Sequence, residues 1–94
     1  MKFFLYSGFG NYCQCYHWGD PISTEIQKEI SEKEIHAAFS DFSGSGLCSL
    51  PNEFKNQTVY ECARIRRGAS TDVHGIVCAD SEADARKLLE DYYS

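Results

Sequence analysis

No apolar run in this chain comes near the roughly 20 residues that a membrane-spanning helix requires. Basic residues are also scarce, with nine Lys and Arg against 14 Asp and Glu. The first deficit excludes a helical membrane protein. The second leaves a formal charge of −5, which argues against a general nucleic-acid binder, because phosphate contacts demand a basic surface. The two prolines and seven glycines build no repeat, low-complexity tract or interdomain linker, so residues 1–94 read as one domain. Met1–Leu5 does not read as a secretory leader, since Ser7 and Gly8 interrupt the apolar start. The five cysteines cannot all pair within one chain. They read as reduced thiols in a cytoplasm, mostly as small core residues.

What is present begins with Cys13-Gln14-Cys15-Tyr16-His17, three metal-ligand types at alternate positions. On a strand these side chains share a face, but Cys13 and His17 would stand about 13 Å apart at ~3.3 Å per residue. Zinc holds each ligand at about 2.0–2.3 Å, so one ion reaches all three only if the segment turns back on itself. No second Cys or His pair follows at metal-site spacing. The expectation is therefore no metal and no cofactor, with a Cys/His metal or thiol site as an alternative reading. Cys48, in a glycine-flanked loop, lacks a base placed beside it by spacing; His17, His36 and His74 lie elsewhere.

Lys2–Tyr6 is a short apolar run that predicts a strand buried on both faces. Ser7–Asn11 predicts a turn, and Tyr12–Trp18 a second strand completing a hairpin. Ile22, Ile26 and Ile30 recur at helical spacing, but Ile35, Ala38, Phe39 and Phe42 fall on the opposite side of any helix continued through them. Thr24, Ile26, Lys28 and Ile30 also alternate with Glu25, Gln27 and Glu29. The better reading is a strand, then a helix from about Glu32 to Phe42 started by a Ser31/Glu34 capping box; two successive helices are the alternative. Residues 43–57 form a long connection with Leu47, Cys48, Leu50 and Phe54 too apolar for a free linker. Thr58–Arg66 predicts a strand with Val59, Ala63 and Ile65 on one face and Tyr60, Cys62, Arg64 and Arg66 on the other. Gly68-Ala69-Ser70 turns into a central strand, Asp72–Ala79. Ser81 then caps a helix whose buried stripe is Ala85, Leu88, Leu89 and Tyr92. The order implies an α+β fold: a single two-layer domain, a mainly antiparallel sheet of four to five strands with two helices packed on one face.

Two surfaces are candidates for function. The first is protein-binding: the aromatics Tyr12, Tyr16 and Trp18 as anchors, with Glu90 and Asp91, acids at the wrong end of the last helix for its dipole. The second is the basic cluster Arg64, Arg66 and Arg67 with Tyr60, which offers a nucleotide both stacking and phosphate contacts. Its competing reading is internal pairing of the arginines with Glu61, Asp72 or helix carboxylates.

Val77-Cys78-Ala79-Asp80-Ser81-Glu82-Ala83-Asp84-Ala85-Arg86 runs from a strand through a capped start into an alanine-rich helix. With its length, acidity and strand–helix layout, the chain resembles in general character small phage-encoded inhibitors of bacterial immunity, such as anti-CRISPR proteins. The resemblance carries over no site residue. It implies a non-enzymatic protein that blocks a nucleic-acid-binding or nuclease assembly by occupying it. The implied partner is a larger protein or ribonucleoprotein with a basic surface, without direct nucleic-acid or membrane contact. A nucleotide-sequestering protein built on Arg64–Arg67 is the alternative.

Overall fold

The computed structural model describes residues 1–13, 18–19, 21–40 and 50–94, of which 12, 13, 18, 19 and 67 through their backbone only. In chain order the elements are β1 (Lys2–Cys13), β2 (Trp18–Gly19), β3 (Ser23–Ile30), α1 (Glu32–Ala38), β4 (Thr58–Arg67), β5 (Ser70–Ala79) and α2 (Glu82–Tyr92). Every strand pairing is antiparallel. The main sheet runs β3-β1-β5-β4, and β2 pairs with the last two residues of β1.

The α+β class and the antiparallel sheet are those expected, and 22–30 is settled as strand rather than helix from Ser23. The placement of the helices differs. They lie on opposite faces of the sheet, giving three layers. One core joins Phe3, Ile30, Cys62, Ile76 and Cys78 to Ile35 and Phe39 at α1, with Leu50 and Phe54 packed against it. The other joins Phe4, Tyr6, Val73, Val77 and Ala79 to Ala85 and Leu89 of α2. Neighbours on a strand point to opposite faces. Because Phe3 and Phe4, Ile76 and Val77, and Cys78 and Ala79 are all buried, each face of the central strands needs its own cover.

The turn expected at Ser7–Asn11 does not form; β1 runs straight through it. Gly8 serves close packing instead, since a Cβ there would stand 2.7 Å from Val73 Cγ2 and 2.8 Å from Ile22 Cγ2. Tyr12 and Cys13 accordingly end β1 and Trp18 opens β2, while residues 14–17 lie outside the described residues. The β4–β5 hairpin turns on Gly68, whose φ of 59° is the left-handed conformation that tight hairpin loops favour and glycine adopts freely. Ser81 caps α2 as expected, accepting the Asp84 amide. At α1 the Ser31 hydroxyl instead donates to the Glu34 carboxylate at 2.9 Å, and the helix Glu32–Ala38 has Phe39 as its C-cap, while the expected end at Phe42 lies outside the described residues.

Two bulges decide which side chains meet. In β3 the register against β1 shifts at Gln27, so Ile26 pairs with Tyr6 and Ile30 with Phe3, on opposite faces. In β4 the register against β5 shifts at Cys62, and Glu61 and Arg64 thereby lie opposite Gly75 and Val73. An extra residue in one strand exchanges the faces of everything beyond it.

Candidate functional site

The last two turns of α2 cross the sheet over Tyr6. Arg86, Leu89, Glu90 and Tyr93 follow at helical i, i+3, i+4 and i+7 spacing and form one stripe. Opposite them stand Pro21, Ile22, Thr24 and Ile26 at the sheet's β3 side, with Glu25 at the lip. Together with Ser94 these residues line an open groove of about 520 Å³. Leu89 is buried and Ile22 and Ile26 half-buried, so the floor is apolar. The surroundings are acidic. Glu82, Asp84, Glu90 and Asp91 of α2 and Glu25 and Glu29 of β3 are exposed, against Arg86, Lys87 and Lys28. Arg86 is partly neutralised by Glu82 at 3.5 Å.

A polar chain beneath the groove fixes the end of α2. Tyr93 Oη donates to Glu61 Oε1 at 3.3 Å, and the same oxygen accepts Arg64 Nε at 3.0 Å and Nη2 at 2.8 Å. A phenol has one proton. With that of Tyr93 committed to the carboxylate, the 2.7 Å contact between the Tyr6 and Tyr93 hydroxyls is a donation from Tyr6. Burial pushes the Tyr6 phenol far above its ordinary range, and its bond to Tyr93 adds to this. Burial likewise raises Tyr93. The Arg64 guanidinium is raised chiefly by its bonds to Glu61. At neutral pH both phenols are uncharged and Arg64 is cationic.

The residues proposed from sequence are distributed as follows. Glu90 and Asp91 are exposed on the last turn of α2. Tyr12 and Trp18 hold strand positions at the β1–β2 end, about 20 Å along β1 from Tyr6 at ~3.3 Å per residue. Tyr12 and Trp18 are placed by their backbone only, and Tyr16 lies outside the described residues. The shared face expected for Tyr60, Arg64 and Arg66 is overturned by the Cys62 bulge. Tyr60 packs on the α1 side, with its ring 5.4 Å from Phe54 and its hydroxyl accepting the Lys55 amide at 2.8 Å. Arg64 and Arg66 face the α2 side, opposite Val73 and Thr71. Internal pairing with Glu61, the competing reading, holds for Arg64. Arg67 is placed by its backbone opposite Ser70. Tyr92, expected in the buried stripe, is 52% exposed, and Tyr93 takes its place against the core.

No protein-family model matches this chain, and no curated protein or solved structure is significantly similar to it.

Among the described residues no group of His, Cys, Asp and Glu is arranged to hold a metal ion, and no helix is long and apolar enough to cross a membrane. Of the alternative thiol and metal residues, Cys13 is placed by backbone only, and Cys15, His17 and Cys48 lie outside the described residues. Cys62 and Cys78 are buried. Burial, with a smaller contribution from the Glu32 charge, pushes the Cys78 thiol up to about 11. The folded state thus holds this proton at pH values where the unfolded chain, titrating near 9.0, releases it. Stability on this account is complete below pH ~9 and falls as pH rises towards about 11, because the unfolded state then binds fewer protons. The raised tyrosines Tyr6 and Tyr93 act in the same direction above pH ~10. Chemical denaturation at pH 8 and pH 10.5 is expected to show a lower midpoint at the higher pH. An unchanged or higher midpoint would refute the assigned burial of these groups.

Proposed function

We propose that this chain is a non-enzymatic binding protein that occupies a basic surface of a larger protein or ribonucleoprotein through the groove between α2 and β3 and the acidic surface around it. The observation that carries the reading is the groove itself: an apolar floor of Ile22, Ile26 and Leu89 beside exposed Glu90 and Asp91. Apolar side chains give such a contact its binding energy, whereas surrounding charge steers the approach and excludes partners of like sign. A surface that ordinarily holds nucleic-acid phosphates suits carboxylates presented in this way. Occupation then blocks the surface, which is the inhibitory action suggested by the general resemblance to anti-defence proteins.

The test compares the wild-type chain with a Glu25→Lys/Glu90→Lys/Asp91→Lys variant in affinity capture from host lysate. Lysines in the last turn of a helix suit its dipole, so α2 is retained or stabilised and loss of binding cannot be confused with unfolding. A stoichiometric protein captured by the wild type, released by salt as the Debye length shrinks and absent from the variant's eluate, is the expected result. Equal capture by both chains, or no partner with either, refutes the groove reading.

A further inference from the structure

On the other side of the α2 terminus, facing β4, lies a second exposed corner of opposite charge. Its parts are joined by direct contacts. The Tyr92 ring packs edge-on against Tyr93 with centroids 4.8 Å apart. Tyr93 Oη reaches Glu61 at 3.3 Å, and Glu61 holds Arg64 at 2.8 Å. Arg66 is two residues further along the same face of β4, opposite Thr71, about 6.6 Å from Arg64 by strand rise. Tyr92, Arg64 and Arg66 are all exposed.

We infer that Tyr92, Arg64 and Arg66 form a binding site for a mononucleotide, its phosphate between the two guanidinium groups and its base on the Tyr92 ring. A guanidinium has five N–H donors in a rigid fork. Glu61 takes one from Nε and one from Nη2 of Arg64, which leaves three and fixes the plane in which they lie. No carboxylate among the described residues forms a salt bridge with Arg66, and the residue is exposed. With Glu61 counted, the three charged groups carry a net single positive charge in a chain of −5, so an anion is drawn to this corner and away from the acidic groove. Phosphate takes up paired N–H donors from such a fork. An exposed aromatic ring gives a base a stacking surface that tolerates any base identity. Two cations and one platform match a single nucleotide; a longer strand would meet the acids of α2.

Isothermal titration of the full chain with AMP, GMP, CMP and UMP, each alongside inorganic phosphate, tests the site. Nucleotide binding is expected with Kd below about 1 mM at low salt. It should weaken by about tenfold or more in Arg66→Gln and in Tyr92→Ala, each a surface change that leaves the melting temperature in place. Inorganic phosphate should bind at least about tenfold more weakly than AMP and be indifferent to Tyr92→Ala. Absence of binding by all four nucleotides at about 5 mM overturns the inference. So does phosphate binding as tightly as AMP, or AMP binding unchanged in either variant. The groove variant Glu25→Lys/Glu90→Lys/Asp91→Lys should bind nucleotide at least as tightly as the parent, so failure of one site is distinguishable from failure of the other.

Discussion

Gly75→Ala should cost the protein about 3 kcal/mol or more, towards or beyond the upper end of the overpacking range. With ~4–8 °C lost per kcal/mol in a domain of this size, that is a fall in melting temperature of at least roughly 12 °C. A Cβ on Gly75 would overlap the Tyr60 carbonyl oxygen and stand 2.7 Å from both Cε1 and Oη of Tyr6. The carbonyl belongs to the neighbouring strand β4 and yields only if the sheet is distorted. The Tyr6 ring belongs to a fully buried side chain whose hydroxyl is already bonded to Tyr93. Two other glycines calibrate the effect. The three atoms nearest a Cβ in Gly8→Ala are side-chain methyl groups of Val73, Ile22 and Thr24, which yield more readily than backbone, so about 1–2 kcal/mol is expected. Gly68→Ala meets nothing within 4 Å but must hold φ at 59°, which costs an L-residue about 1–2 kcal/mol. Thermal melts of the three variants should therefore place Gly75→Ala well below the other two. A Gly75→Ala protein melting within a few degrees of the parent would show that Tyr6 does not cross this strand.

The strands and helices were legible where hydrophobic pattern alone decides them. Both-face burial of Phe3 and Phe4 marked β1 as central, the alternation from Thr24 marked β3 as strand, and Ser81 marked the start of α2. The same doubly buried strands require cover on both faces, which the two opposed helices supply. What sequence does not reveal is register. The bulges at Gln27 and Cys62 each add one residue to a strand without any glycine or proline to announce it, and each reverses the faces of the residues beyond it. That is why Tyr60 read as a companion of Arg64 and is on the other side of the sheet. Gly8 read as a turn residue because a glycine needed for close packing and one needed for a turn look alike in sequence. The partners of Tyr93, at positions 6 and 61, are distant in the chain and meet only through the tertiary fold. Their one local sign was Glu61 standing three residues before Arg64.

Tyr6→Ala should be comparable in cost to Gly75→Ala, at about 3–5 kcal/mol for loss of a large buried ring; finer substitutions test the polar chain itself. Tyr6→Phe keeps the ring and removes one donor. Tyr93 Oη still donates to Glu61 and loses only one bond it accepted, so the cost should be near 1 kcal/mol. Tyr93→Phe does the opposite. It leaves the Tyr6 hydroxyl in a fully buried position with its acceptor gone, and a buried unsatisfied donor costs ~1–3 kcal/mol. Tyr93→Phe should thus destabilise more than Tyr6→Phe, although Tyr6 is the more buried of the two. The double variant Tyr6→Phe/Tyr93→Phe removes the stranded hydroxyl and should cost less than the sum of the singles, by ~0.5–1 kcal/mol or more of coupling in denaturant titrations. Tyr6→Phe should also lessen the alkaline loss of stability, because the phenol that must keep its proton above pH ~10 in the folded state is gone. If the two single variants are equal in cost and simply additive, the hydroxyls are not linked in the order Tyr6 to Tyr93 to Glu61. The end of α2, which walls the groove on one side and carries Tyr92 on the other, would then be held by apolar packing alone.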